Sequence, residues 1–448
     1  MQAKLMFRTL LAVVLLGASA HSHALQTQPE KLEPLPLKAR AQVVDELLEA
    51  RIQGLLPNLM RRHNIDMWLL ISREYNEDPI LRTMLPSDWY SARRRTILVL
   101  FDRGIIDGED RGVEALAVAR YNVGEVFKQA WDPETQPDQW QRLRELISER
   151  APQRIGINQS ATFAQADGLV ATDKAELLEA LGNDLAKQIV SAEPLAVSWL
   201  ETRIPEEIPH YEQAVGIAQQ IIAEAFSNQV VTPGETTTTD IEWWMQERAA
   251  ELNLQVWFPP TVTLQRKGAE GFRLAGQTVQ PGDLLHVDFG ITYLRLNTDT
   301  QQHAYVLKKG EEAAPAGLQQ ALLLGNKLQD ILTRKFVARQ SGNQILMAAL
   351  SQAREAGLQA TIYTHPIGYY GHGSGPTIGL WDQQQPIPGA GEYLLYRDTA
   401  HSIELNNVHY VESWQQNVAI MLEEDAFFDG YGVQYLHGRQ QQFHLISN

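Results

Sequence analysis

Two aspartates, Asp288 and Asp299, lie in the stretch LLHVDFGITYLRLNTDTQQHAYVL, whose other residues are typical of buried strands. A carboxylate buried without a partner costs free energy, and two that approach each other repel and raise each other's pKa. A divalent cation between them removes both costs, and Mn²⁺, Co²⁺ and Zn²⁺ all accept oxygen ligands. A single Asp of this kind more often caps a turn or ends a strand in solvent, so a metal site needs further ligands.

Further candidate ligands follow along the chain. His365 and His372 lie in the glycine-rich, aromatic segment THPIGYYGHGSGPTIGL, and the glycines on either side of His372 let a ligand approach closely. Glu404 lies in AHSIELNNVHYV, and Glu423 and Glu424 lie in NVAIMLEEDAFF. A lone buried Glu is most often paired with Arg or Lys. The order Asp, Asp, His, Glu, Glu over separate strand or loop segments indicates a metal centre instead.

Short strands must position these side chains. In LLHVDFG, the side chains of Leu284, His286 and Asp288 point to one face because strand residues alternate. Asp288 and Asp299 are eleven residues apart, which suits opposite strands of one hairpin. Amphipathic helices are predicted over IPEEIPHYEQAVGIAQQIIAEAFSNQ, over TTTTDIEWWMQERAAELN, and near residues 315–336 and 341–357.

The first half of the chain has the pattern of an α/β scaffold. Residues 36–62 favour a helix, and the strand-like runs IDMWLLIS, RTILVLF, VEALAVAR and RIGIN follow. A helix over TDKAELLEALG is predicted to begin with Thr172 as its N-cap and to stop at Gly182. This half has no glycine-rich phosphate loop. The length of 448 residues predicts two domains, here 25–200 and 201–448.

The N-terminus has the pattern of a secretory signal. Lys4 and Arg8 precede an apolar run over residues 10–16, and small residues follow. Ala24 and Ala20 are the two candidate cleavage positions. The run is too short to span a bilayer, and a short N-terminal anchor is the alternative. We therefore expect a signal peptide over residues 1–24 and a periplasmic or secreted protein.

The net charge and the absence of cysteine limit the classes of binding partner and of metal ligand that this chain can use. The formal net charge is −16, and removal of residues 1–24 leaves 36 basic and 54 acidic residues, a charge of −18. This disfavours nucleic acid and anionic membranes as partners, because both reward clustered Lys and Arg. The chain has no cysteine, which suits a bacterial periplasm and excludes disulfides and thiolate ligands. Any metal must be held by Asp, Glu and His.

The segments GDLLHVDFG, NTDTQQHAYVL, GHGSG, HSIEL and LEEDAFF resemble those of the creatinase, methionine aminopeptidase and prolidase superfamily. The similarity is greatest to its Xaa-Pro aminopeptidase and prolidase branch, metallopeptidase family M24, and covers residues 205–448. It implies an α+β fold, with a C-terminal pita-bread metallopeptidase domain preceded by a smaller α/β creatinase-type domain. It also implies small peptide substrates and, by analogy alone, a homodimer.

The same resemblance implies a site of two divalent metal ions, Mn²⁺, Co²⁺ or Zn²⁺. Glu404 is the implied proton carrier in two-metal hydrolysis of the peptide bond. The choice of Glu423 over Glu424 depends on the register of the apolar triplet that follows. The implied metal ligands are Asp288, Asp299, His372, Glu404 and Glu423.

The sequence departs from the family pattern near the site. GAEGFRL lacks the usual His upstream of Asp288, and GPTIGLWD lacks the usual second His after His372. Gln301 and the next Gln stand where Thr-Arg is usual, and LNN stands where Pro-Gly usually follows the first Glu. His365 and His401 are candidates to replace a missing catalytic histidine.

Three functions remain open at this point. The first is an exported dinuclear-metal peptidase that acts on Xaa-Pro peptides. The second is a metal-binding homologue without peptidase activity, which serves as a binding or scaffold protein. The third is a creatinase-like hydrolase of a non-peptide C–N bond. The missing histidines favour the second and third.

Overall fold

A mixed six-stranded sheet forms the centre of the first part of the chain. The computed structural model describes residues 32–448, so the predicted signal peptide lies outside the described residues. The helices of this part are α1 (Leu37–Ala50), α2 (Leu56–Arg62), α3 (Pro79–Met84), α4 (Gln139–Arg150), α5 (Ala171–Ala186) and α6 (Glu193–Glu201). The strands are β1 (Met67–Arg73), β2 (Arg95–Asp102), β3 (Ile105–Ile106), β4 (Glu109–Asp110), β5 (Val113–Val118), β6 (Lys128–Gln129), β7 (Ile155–Ile157) and β8 (Ile189–Ser191).

The sheet order in this part is β6-β5-β2-β1-β7-β8. Strands β5, β2 and β1 pair antiparallel, whereas β1, β7 and β8 run parallel. The strands that the sequence predicts are confirmed, since their apolar runs are buried on both faces by helices. The alternation of strands with helices therefore produces the predicted α/β layers.

Two local predictions in this part need correction. The helix over residues 36–62 is interrupted by a π-helical turn over Arg51–Leu55, beside Pro57, which has no N–H to continue the α-helical ladder. Helix α5 begins after Val170 without a side-chain cap, so Thr172 lies in its first turn and is not the N-cap. Gly182 does interrupt the helix, with φ of 64°.

The second part of the chain contains the helices and strands that surround the candidate site. Its helices are α7 (Ile208–Ala225), α8 (Thr238–Glu251), α9 (Ala316–Thr333) and α10 (Gly342–Glu355). The strands are β9 (Gln255–Val256), β10 (Thr261–Gln265), β11 (Leu284–Phe289), β12 (Ile291–Tyr293), β13 (Leu296–Asn297), β14 (Thr300–Val306), β15 (Gln359–Ile362), β16 (His365–Pro366), β17 (Thr399–Ser402), β18 (Leu405–Val411), β19 (Gln416–Leu422), β20 (Asp425–Phe428), β21 (Val433–Tyr435) and β22 (His444–Ile446).

These strands form several small sheets. The orders are β10-β11-β14-β22, β13-β12-β9, β15-β18-β19 and β16-β17-β20-β21. Strands β11 and β14 pair antiparallel, which confirms the predicted hairpin partners. The apolar faces of α9 and α10 pack on the strands to form the core of this part, which includes Leu318, Leu346 and Ile420. The strand ends that carry the candidate ligands meet beside this core.

The two parts are joined by a buried ion pair. The guanidinium of Arg51 lies 3.0 Å from the Glu207 carboxylate and stacks on Trp199 and Tyr369. Residues Glu33–Asn448 form one compact unit, so the division at residue 200 stays a prediction. Within residues 32–448, none of the helices has the length and apolar character needed to cross a bilayer.

Candidate metal centre

Two of the carboxylates are positioned by the pair β11 and β14. Asp288 lies near the end of β11, directly opposite Gln301 of β14, and is partly buried. Asp299 immediately precedes β14 and is buried, with its backbone N–H donating to the Asp425 carboxylate at 3.0 Å. The alternation of side chains along β11 turns Asp288 toward Asp299, as the sequence predicts.

The other two carboxylates come from breaks between strands. Glu404 lies between β17 and β18, and Glu423 lies between β19 and β20. Glu423 exchanges backbone hydrogen bonds with Gln301, at 3.0 and 3.3 Å, so its side chain is directed into the same cluster as Asp288. Glu424 points away and accepts hydrogen bonds from Gln219, Gln302 and the backbone of Gln440.

His365 is the imidazole that faces this cluster of carboxylates. Its Nε2 lies 3.4 Å from Glu423 Oε1, 3.8 Å from Asp299 Oδ2 and 3.9 Å from Glu404 Oε2. Its Nδ1 lies 3.0 Å from the carbonyl oxygen of Pro366, to which it donates. The proton is thereby held on Nδ1, which leaves the Nε2 lone pair directed at the carboxylates.

His372 lies beside His365 but is exposed to solvent. The two rings meet edge to face with centroids 4.8 Å apart, and the Trp257 ring also meets His372 edge to face, with centroids 5.3 Å apart. Ligand atoms of Asp299, His365 and His372 all lie within 4.8 Å of one another. His401, the other candidate, is fully buried against Phe336 on the opposite face of β17, and burial lowers its pKa to about 3.

The donor set fits a divalent cation. Two further groups of three residues have ligand atoms that all lie within 4.8 Å of one another. One group is His365, Glu404 and Glu423, and the other is Asp288, Asp299 and Glu423. Two ligands that each lie about 2.1 Å from a shared ion are roughly 3.0–3.4 Å apart, close to the shortest separation found here. Asp288 Oδ1, Asp299 Oδ1 and His365 Nε2 are buried and have no hydrogen-bond partner within residues 32–448.

Without a cation, the cluster carries a strong electrostatic penalty. Burial, and then the nearby charge of Glu423, raise the pKa of Asp288 to about 8. The same two causes raise the pKa values of Asp299 and Glu404 well above their usual range. Carboxylates with pKa values perturbed in this way are typical of functional sites, and a bound cation would favour their ionised forms.

Three neighbours of the cluster were not predicted as site residues. Gln301 donates from its side-chain amide to the carboxylates, and the Ser402 hydroxyl donates to Glu423 Oε1 at 2.7 Å. Arg273 is exposed and forms no salt bridge within residues 32–448. Its positive charge is close enough to lower the pKa values of Asp288 and Glu404, which opposes the effect of burial. Arg273 belongs to GAEGFRL, the segment that lacks the usual histidine. An arginine close to the place of that missing histidine is the sequence signal that could have identified Arg273 as a site residue.

Comparisons with known proteins agree with this geometry. Residues 209–434, half of the chain, match the sequence model of metallopeptidase family M24. The chain belongs to metallopeptidase family M24. The five motifs thus identified the family and its pita-bread fold correctly. A comparison with curated proteins finds no match.

Several solved structures share the fold over nearly the whole chain. The X-Pro aminopeptidase from Thermotoga maritima MSB8 is 16% identical with a TM-score of 0.62, covering 87% of this chain and 100% of that chain. A dipeptidase from Mycobacterium ulcerans is 16% identical with a TM-score of 0.58, and the match covers 91% of this chain and 99% of that chain. The prolidase from Pyrococcus furiosus is 14% identical with a TM-score of 0.52, covering 86% and 100%. Coverage of this extent confirms the α/β domain ahead of the pita-bread domain.

Proposed function

We propose that this M24 protein is an exported, metal-dependent peptidase that hydrolyses small peptides with proline beside the scissile bond. The observation that carries the proposal is the convergence of His365 Nε2 on three carboxylates. The X-Pro aminopeptidase and prolidases that share the fold support the substrate class. The resemblance predicts two Mn²⁺, Co²⁺ or Zn²⁺ ions, and the geometry supports at least the one beside His365.

His365, Asp299, Glu404 and Glu423 would hold the cation. The hydrogen bond from Nδ1 to the Pro366 carbonyl fixes the His365 ring, and the Ser402 hydroxyl fixes one oxygen of Glu423. These outer contacts orient the ligands before an ion binds. A bound divalent cation supplies Lewis-acid activation of a water molecule and of the peptide carbonyl.

Glu404 is suited to move the proton. Its Oε1 accepts a hydrogen bond from Gln301, so Oε2 remains directed into the cluster, toward His365. In the metal-free protein, burial and the nearby charge of Glu423 raise the pKa of Glu404, and a carboxylate of higher pKa is a stronger base. We infer that Glu404 accepts a proton from the attacking water and delivers it to the leaving nitrogen.

Arg273 is suited to bind negative charge at the mouth of the cluster. Its Nε lies 3.3 Å from Met421 Sδ, and within residues 32–448 its guanidinium forms no salt bridge with a carboxylate. We propose that it contacts the developing oxyanion or the substrate's carboxylate, in place of the missing histidine. Arg273→Gln is expected to lower kcat/KM for an Xaa-Pro peptide roughly 100-fold, since a single oxyanion donor contributes about that much.

Two further variants test whether the effect depends on the positive charge at residue 273 and on the position of that charge beside the cluster. Arg273→Lys, which keeps the positive charge, should recover part of the lost rate. Arg334→Gln removes an exposed arginine that has only a 3.8 Å contact to Asp330, and should leave kcat/KM unchanged. Equal kcat/KM values for Arg273→Gln and the wild-type protein would show that Arg273 takes no part in the reaction.

Export is a separate prediction from the N-terminal pattern. Protein recovered from its native envelope is expected to begin at Leu25, or at His21, as measured by intact-mass analysis. Val13→Arg interrupts the apolar run and should leave the precursor intact in the cytoplasm. A mature, soluble wild-type protein that retains Met1 would contradict periplasmic or secreted residence.

One assay separates peptide hydrolysis from the alternatives. The protein is stripped of metal, reloaded with Mn²⁺, Co²⁺ or Zn²⁺, and given Xaa-Pro dipeptides, Xaa-Pro tripeptides, matched Xaa-Ala peptides and creatine. Metal-dependent cleavage of the proline peptides ahead of the alanine peptides is the expected result. Turnover of creatine alone would indicate a creatinase-like hydrolase. Metal binding without any turnover would indicate a binding homologue.

A further inference from the structure

The side-chain amide of Gln301 lies inside the carboxylate cluster. Its Nε2 donates to Glu404 Oε1 at 2.5 Å and to Glu423 Oε2 at 2.7 Å, and lies 3.4 Å from Asp288 Oδ2. Gln301 is fully buried. An uncharged N–H donor therefore contacts three acidic side chains that the family resemblance assigns to two metal ions.

The orientation of this amide is fixed from its other end. His286, on the same face of β11 as Asp288, has its Nε2 2.9 Å from Gln301 Oε1, and its Nδ1 lies 3.5 Å from the Thr263 hydroxyl. An amide oxygen can only accept, so the imidazole N–H must donate to it. The reverse orientation would direct the amide oxygen at carboxylate oxygens and lose these hydrogen bonds and the one from His286.

Gln301 and His365 use opposite oxygens of the shared carboxylates. Glu404 presents Oε1 to the amide and Oε2 to His365, and Glu423 presents Oε2 to the amide and Oε1 to His365. The cluster thus has two adjacent positions for a positive group. One is beside His365, and the other is within reach of the Gln301 amide.

The Gln301 amide lies beside the candidate cation position that does not involve a histidine. That position lies among Asp288, Asp299 and Glu423, and Gln301 Nε2 already contacts two of these three side chains. An ion there that used Asp288 Oδ2 and Glu423 Oε2 would lie about 2.1 Å from two oxygens that the Gln301 amide already contacts. Such an ion and the amide group compete for one volume.

Because of this competition, we propose that the Gln301 amide takes the place of the second metal ion. This proposal rests on the metal centre of the proposed function. The chain then binds one divalent cation, held by His365, Asp299, Glu404 and Glu423. The amide donates two hydrogen bonds that keep Glu404 and Glu423 in place, a task that a second ion performs in a two-metal site.

The test measures metal stoichiometry, independently of any activity. Wild-type protein, Gln301→Thr and Gln302→Thr are dialysed to equilibrium against excess Mn²⁺, and bound metal per chain is measured by plasma mass spectrometry. Threonine is the usual family residue at position 301. Gln302 is the matched control, because it is buried on the same strand and contacts a His and a Glu, His444 and Glu424, outside the cluster.

One ion per chain is expected for the wild-type protein and Gln302→Thr, and two for Gln301→Thr. Electron paramagnetic resonance of wild-type protein should show isolated Mn²⁺ without exchange coupling, which answers the question even if the variant misfolds. Two coupled ions in the wild-type protein would overturn this inference and leave the metal centre intact. One ion in all three proteins would also overturn the role of Gln301. No bound ion in any of them would overturn the proposed function as well.

Discussion

Glu404→Gln is expected to lower kcat for an Xaa-Pro peptide by at least about 100-fold, the usual contribution of a general acid–base group. Glutamine keeps the shape of the side chain and one oxygen ligand but cannot carry the proton. In the wild-type protein, Glu404 Oε1 accepts a hydrogen bond from the Gln301 amide at 2.5 Å and Oε2 faces His365, so the single oxygen of glutamine keeps one of these two contacts. Bound metal is therefore measured on the same sample, and kcat is compared between samples of equal metal content.

The neighbouring buried Glu424 supplies the matched control. Within residues 32–448, its side chain forms no hydrogen bond with the cluster and accepts hydrogen bonds from Gln219, Gln302 and the backbone of Gln440. Burial raises its pKa to about 8, so it is largely uncharged at neutral pH and glutamine resembles it closely. Glu424→Gln should keep near wild-type kcat. A metal-loaded Glu404→Gln with unchanged kcat would show that another group moves the proton.

Removal of the metal should destabilise the protein, and the response should depend on His365. A ligand present at 100 times its dissociation constant stabilises the folded state by about 2.7 kcal/mol, so chelation should lower the melting temperature of the wild-type protein. His365→Ala removes the imidazole whose Nε2 lies 3.4 Å from Glu423 and should abolish the response to the chelator. Differential scanning fluorimetry with and without chelator measures both.

His372→Ala is the control for His365→Ala. His372 is exposed and contacts the cluster mainly through the edge of the His365 ring, so this variant should keep most of the response. The opposite pattern, with the response lost in His372→Ala and kept in His365→Ala, would establish His372 as the ligand that the motif resemblance implies.

The effect of metal removal should also grow with pH. The folded-state pKa of Asp288 is about 8 without metal, above its ordinary value of 3.8, so between these values the folded protein holds a proton that the unfolded chain has released. Stability of the metal-free protein therefore falls as pH rises from about 4 to 8. Chelation should lower the melting temperature more at pH 8 than at pH 5. An equal loss at both pH values would contradict a cluster of carboxylates that the ion neutralises.

Strand periodicity explains how much of the site the sequence could predict. Asp288 lies on a regular strand, so its face follows from alternation, and its antiparallel partner follows from the short connection to Asp299. Glu423 and Glu424 lie at a break between β19 and β20, where alternation does not apply. Their directions are determined by the backbone pairing of Glu423 with Gln301, a contact between residues far apart in sequence.

Irregular segments explain what the sequence could not predict. His365 and His372 lie on a glycine-rich loop without periodicity, so which ring turns inward depends on the path of that loop. Arg273 lies in the long connection between β10 and β11. Gln301 was visible as a departure from the family pattern, but its contact with three carboxylates depends on the register of β14 against β11 and on the orientation given by His286.

The most direct test of the metal centre is an anomalous-difference map from crystals grown with Mn²⁺. We expect a peak within coordination distance, about 2.0–2.2 Å, of His365 Nε2 and of oxygens of Asp299, Glu404 and Glu423. A second peak at the position of the Gln301 amide would change the number of ions and leave the centre in place. The absence of a peak beside His365 at saturating Mn²⁺, in crystals where these side chains are ordered, would contradict the central claim that this cluster binds the catalytic metal.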